Sequence, residues 1–280
     1  MIFNRRETLT LAAAATVAGV AGFPSLAAAK DGDTIDLLKL MNPKGIPDKV
    51  DGNPDAKVTF IEYASPTCPH CALFSNTVLQ PFKDKYVKTG KVKFILRPFA
   101  RNTMDAAIFM LAEAAAQSVE AQSAPANASS SAASSAEASS SAEAPSSAEA
   151  PSSAEASSSA EAASSSAAPA APATPVSYSP AAIDAYENVI ATFFRTQNTW
   201  GVSDKPLDAV KAVAFQLGFT EDTFNAALKN QDYFNAIESM RDQAINDFGL
   251  EGTPTFYVNG KQLTGEKTME QLDAEITPLL

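Results

Sequence analysis

Hydrophobic and polar residues alternate through Lys57-Val58-Thr59-Phe60-Ile61-Glu62-Tyr63, a β-rich run that predicts a strand. A helical stretch is expected from Cys71 to about Val87, followed by a second strand at Lys91-Val92-Lys93-Phe94-Ile95-Leu96-Arg97, ended by Pro98. A strand, a helix and a strand of this length form a βαβ unit with parallel strands and a right-handed crossover. The period then changes to that of helices. Met104 to about Gln117 forms one, and Ser179-Pro180 reads as an N-cap with Pro at the first helical position. Ile183, Tyr186, Val189, Ile190, Phe193 and Phe194 follow at helical spacing. Further helices are expected around Leu207/Leu217, Phe224/Leu228 and Tyr233/Phe248, their apolar stripes and Trp200 serving as core. Near the end, Asn259-Gly260 between two short β-rich runs is a strong hairpin signal. A last helix spans about Met269 to Ile276.

Two stretches stand outside this pattern. Arg5-Arg6, a weakly apolar run to Leu26 and Ala27-Ala28-Ala29 make residues 1–29 a signal peptide. The paired arginines suggest the twin-arginine route, with Sec export the plainer alternative and an uncleaved anchor the third. Residues 120–177 are almost entirely Ser, Ala, Pro and Glu, with glutamates at 137, 143, 149, 155 and 161, one every six residues. With only alanine to bury, ordering such a chain is not offset, so it reads as a low-complexity disordered insert, a helix being the alternative. The expected division is signal 1–29, first part of the domain 30–119, insert 120–177, helical insertion 178–248 and second part of the domain 249–280.

Composition narrows the chemistry. The net charge of −11 has no basic run to set against it, which argues against nucleic acid as a partner. Two cysteines and one histidine occur in 280 residues, and all three lie in Cys68-Pro69-His70-Cys71. A disulfide across two intervening residues closes too short a loop to restrict the unfolded chain much, so the pair is better explained by reactivity than by stability. A tetrahedral zinc site needs four ligands, more than this tetrapeptide offers. Two-coordinate Cu(I) on the thiolates stays open.

A helix starting at this tetrapeptide gives Cys68 the unpaired N–H groups and dipole that favour a thiolate. His70 adds positive charge when protonated, and Pro69 fits the first helical turn. Cys71 lies one turn behind, placed to close a disulfide with Cys68. Glu62 shares a strand face with Phe60 and Ala64. There it either accepts or relays the Cys71 proton, its pKa raised by desolvation, or simply reaches solvent.

With Gly252-Thr253-Pro254-Thr255-Phe256 and Val258-Asn259-Gly260 downstream, the chain resembles the DsbA family of bacterial thiol–disulfide oxidoreductases over residues 31–117 and 179–280. The resemblance implies an α/β thioredoxin-like fold with an inserted helical subdomain, itself interrupted by the Ser/Ala/Glu/Pro segment. It implies Cys68 as exposed nucleophile, Cys71 as buried resolving thiol, Pro254 as a cis-proline and Thr253 as the backbone presented to substrate. It implies no cofactor beyond the redox-active Cys68–Cys71 disulfide. The expected partners are reduced or unfolded exported proteins and a membrane partner that resets the disulfide, in the periplasm, the oligomeric state being open. Oxidase is the leading activity. An isomerase or reductase of the same fold, a Cu(I) carrier and a chaperone-like binding protein are the alternatives.

Overall fold

The computed structural model describes residues 30–123 and 178–280; residues 1–29, expected to be a signal peptide, and residues 124–177 of the expected insert lie outside them. The chain enters through α1 (Leu37–Leu40) and β1 (Val50–Asp51), then reaches β2 (Val58–Ala64). Every residue of β2 is buried, because both faces of this central strand are covered. Its parallel neighbour β3 (Val92–Pro98) pairs with it from Val58↔Val92 to Ala64↔Pro98.

Between them runs a helix that starts at Pro69, not at Cys71. It is α-helical over α2 (Pro69–Phe74) and α3 (Gln80–Phe82), and widens to π turns over Ser75–Leu79 and Lys83–Val87. Pro81 has no N–H to give the preceding turn, so a regular ladder cannot be kept through this stretch.

Next come α4 (Thr103–Ser123), α5 (Pro180–Arg195), α6 (Gln197–Trp200), α7 (Pro206–Gln216), α8 (Glu221–Leu228) and α9 (Gln231–Phe248). The helix α4 runs through Ser123, four residues into the stretch expected to be insert. Ser179 caps α5 as expected, its hydroxyl accepting from the Ala182 N–H. The same residue gives its N–H and hydroxyl to Glu120 at 3.0 and 2.7 Å, so the chain leaves and re-enters the fold at one place. Beneath this junction Lys49 pairs with Glu113 at 2.7 Å, both buried, with the rings of Tyr178 and Tyr186 over the ammonium.

The last unit returns to the sheet. β4 (Thr255–Val258) pairs antiparallel with β2, and β5 (Lys261–Thr264) with β4, giving the order β1-β3-β2-β4-β5. Asn259 and Gly260, both at positive φ, make the predicted two-residue turn. A Cβ on Gly260 would lie 2.6 Å from the Ile35 carbonyl oxygen, so glycine is also required there for space. The final helix is α10 (Met269–Ile276). Phe60, Phe82, Phe94 and Phe256 meet at the centre of the core, between the sheet and the long helix. Among the described residues, no helix is long and apolar enough to cross a membrane.

Candidate active site

The site forms where β2 ends and α2 begins. Cys68 is the N-cap of α2, extended at φ −84° and ψ 119°, with Pro69 in the first turn. The loop that delivers it is held from α4. The buried Asp105 carboxylate accepts from the Ser65 hydroxyl at 2.7 Å, the Thr67 N–H at 2.7 Å and the Arg101 N–H at 2.9 Å. Arg101 donates in turn to the Ser65 and Thr67 hydroxyls. On the other side Gln197 of α6 donates to the Pro66 and Cys68 carbonyls at 2.7 and 3.0 Å. The helical insertion thus grips the active-site loop at two points.

Across from Cys68 lies the Thr253-Pro254 bond, which is cis as expected. The Cys68 thiol donates to the Thr253 carbonyl at 3.2 Å. This contact corrects one expectation: Cys68 is only 2% exposed, not an open nucleophile, because it sits beneath the Thr253–Pro254 loop. Cys71 is fully buried, as expected of the second thiol.

The two sulfurs differ in acidity through their surroundings. A hydrogen bond from the Cys71 thiol is the main cause that brings the Cys68 pKa down to about 5. Burial opposes it, while the Thr253 side chain and the N–H groups of Cys71 and His70 reinforce it. Cys71 is pushed well above the ordinary thiol value, first by burial, then by its bond to Cys68 and by the charges of Glu62 and Cys68. Loss of the Cys68 proton, which the neutral thiol gives to the Thr253 carbonyl, therefore leaves a thiolate at Cys68 beside a thiol at Cys71.

Glu62, expected either to serve the thiols or to reach solvent, does not reach bulk solvent. It is 1% exposed, and its Oε1 has no hydrogen-bond partner. Burial raises its pKa to about 8, against the pull of Lys83. Lys83 pairs with Asp51 at 2.9 Å and with Glu187. All four residues line one cavity of about 590 Å³. His70 is exposed and its Nδ1 meets the Glu266 carboxylate. Among the described residues, no cluster of three or more His, Cys, Asp or Glu could hold a metal ion.

All seven expected site residues, Glu62, Cys68, Pro69, His70, Cys71, Thr253 and Pro254, thus gather at or just behind the α2 N-terminus. Asp105, Arg101, Gln197 and Glu266 were not foreseen. An acid in the first turn of a helix, such as Asp105, reads as an ordinary companion of the helix dipole. Nothing in the sequence ties it to residues 65–67.

Comparison with known proteins agrees with this architecture. The family model described as Thioredoxin matches residues 45–175 and 160–277. A Rickettsia bellii protein provisionally named a protein-disulfide oxidoreductase is 43% identical over 58 residues, 21% of this chain and 22% of that protein. The aligned stretch is thus about a fifth of that relative's length. The crystal structure of Wolbachia pipientis alpha-DsbA1 superposes with a TM-score of 0.57 at 20% identity, covering 83% of this chain and 90% of that one. BdbD from Bacillus subtilis gives 0.52 at 15% identity, over 88% and 98%. These superpositions share the fold of this chain, and because the family model covers more than half of it, the chain belongs to the thioredoxin family.

Proposed function

We propose that this chain is an exported thiol–disulfide oxidoreductase that introduces disulfides into reduced exported proteins through Cys68 and Cys71. The observation that carries the reading is the acidity difference between two adjacent sulfurs beneath a cis-proline, Cys68 near 5 and Cys71 far above it. A substrate thiolate attacks Cys68 Sγ of the disulfide, and the Cys68–Cys71 bond breaks. Cys71 leaves as a thiolate and takes up a proton. A second substrate thiolate attacks the substrate sulfur of the mixed disulfide and releases Cys68 as a thiolate. The substrate loses two electrons and the protein gains them. A Cys68 that leaves so readily stabilises the reduced protein, which makes the disulfide oxidising.

The other residues take roles around this exchange. Glu62, protonated below about 8, is the nearby acid for the Cys71 proton. Pro69 shapes the first turn of α2, and His70 faces the thiolate with positive charge. Thr253 and Pro254 border a cavity of about 390 Å³, which suits an extended substrate backbone. A membrane redox partner resets the disulfide, and no metal or organic cofactor takes part. The periplasmic setting follows from the signal sequence.

Redox titration against glutathione tests the reading. The expected potential lies well above the roughly −270 mV of thioredoxin, toward the about −120 mV of a strong oxidant. A potential near thioredoxin's would make the chain a reductase. The absence of a reversible couple would sink the oxidoreductase reading.

A further inference from the structure

Glu266 has no part in the exchange just described, yet it touches the active site. It follows Gly265 in the link between β5 and α10, and Gly265 donates its N–H to the Pro254 carbonyl at 2.9 Å. The loop bearing Glu266 is therefore fastened to the cis-proline, while its carboxylate reaches across to Nδ1 of His70 beside Cys68. His70 and Glu266 are 62% and 49% exposed. An exposed pair of this kind adds little to stability, so its effect must be sought in the charge of the imidazole.

We propose that Glu266 is a positioning residue for the redox couple: its carboxylate keeps His70 a cation in both the disulfide and the dithiol forms, so that reduction takes up a single proton. The inference rests on the oxidoreductase reading. When two electrons from a substrate dithiol break the Cys68–Cys71 bond, the products are a Cys68 thiolate and a Cys71 thiol. Cys71 accounts for one proton. A neutral His70 would be drawn to take a second as the negative charge appears on Cys68. A His70 already protonated has none to take.

The groups that act on the ring fit this account. Glu266 raises its pKa most, through hydrogen bond and charge, and Cys68 adds to it. Lys267, next to Glu266, is held elsewhere by the Thr264 carbonyl at 2.6 Å and by Asp31 at 3.6 Å. Behind Cys68 stand Cys71 and Glu62, and Glu62 changes charge only near 8. In the range from about pH 5.5 to 7.5, above Cys68 and below Glu62, Glu187 also titrates, at about 7. It pairs with Lys83 and is unchanged between wild type and the Glu266 variants, so their comparison isolates His70.

The test compares wild type, Glu266→Gln and Glu266→Asp. His70 is the only histidine, so its ring proton resonance can be titrated without assignment. Expected is a wild-type midpoint above the ordinary 6.5, a fall toward that value in Glu266→Gln and recovery in Glu266→Asp. The reduction potential is then followed from about pH 5.5 to 7.5. One proton per two electrons changes the wild-type equilibrium tenfold per pH unit, about 30 mV. In Glu266→Gln the slope should steepen toward a hundredfold per unit, about 59 mV. Equal His70 midpoints, or a normal couple with coincident slopes, would overturn the inference while leaving the oxidoreductase reading intact. A wild-type chain with no reversible couple would overturn both.

Discussion

Glu62 shows how burial can outweigh a neighbouring charge in setting one side chain. Its neighbours across the sheet are Phe256 and Leu96, and nothing donates to its Oε1. The carboxyl therefore stays protonated until about pH 8. A protonated carboxyl can hand its proton to the leaving Cys71, and an ionised one cannot. Glu62→Gln should slow reduction of the disulfide by substrate on the order of 10²-fold at pH 7, the low end for positioned acid–base groups. Wild type should approach the variant as pH rises through about 8. A rate ratio that stays flat with pH would exclude this role. The sign for stability is the opposite. A raised pKa means that wild-type stability is complete below the unfolded value of 4.5 and is lost as pH rises to about 8. Glu62→Gln should gain a few kcal/mol over wild type across that interval, measured by urea unfolding.

At the scale of elements, the active-site loop is held from outside the sheet. The N-terminal turn of α4 supplies Asp105, whose carboxylate satisfies one hydroxyl and two backbone N–H groups. Deleting it strands the buried Ser65 hydroxyl and two part-buried N–H groups, a lost buried partner costing about 1–3 kcal/mol. Asp105→Ala should lose roughly 3 kcal/mol in denaturant unfolding. Asp105→Asn, which keeps one acceptor oxygen, should lose less. A loss in Asp105→Ala below about 1 kcal/mol would show that the loop is held by other means. The starts of α5 and α10 were legible because capping is local: Ser179 and Thr268 bond within their own first turns. The π turns of the active-site helix were not. Pro81 within the expected helix interrupts the hydrogen-bond ladder, but the packing of Phe74 and Phe82 on both sides of it keeps the helix in one piece.

For the whole molecule, the contact between Glu120 and Ser179 closes α4 onto α5. The fold on either side of residues 124–177 therefore meets directly. With this stretch taken as a disordered insert, replacing it by a short Gly/Ser linker should leave redox activity unchanged. Each halving of a flexible connection relieves roughly 0.6 kcal/mol, so stability should rise on the order of 1 kcal/mol. A fall in melting temperature or in exchange rate would instead give the segment a part in the fold or in substrate handling.

Local pattern settled much of this protein. Alternation located β2 and β3, Asn259-Gly260 fixed the hairpin, and a single tetrapeptide held every cysteine and the only histidine. These depend on residues near one another in the chain, where spacing and backbone preference act directly. Tertiary structure decided the rest. It covered Cys68 with the Thr253 carbonyl, buried Glu62 and brought Asp105, Gln197 and Glu266 to the α2 N-terminus. Those residues lie up to 196 positions from their partners. Burial and charge act through space, and the acidity of each sulfur is set by neighbours that only folding assembles.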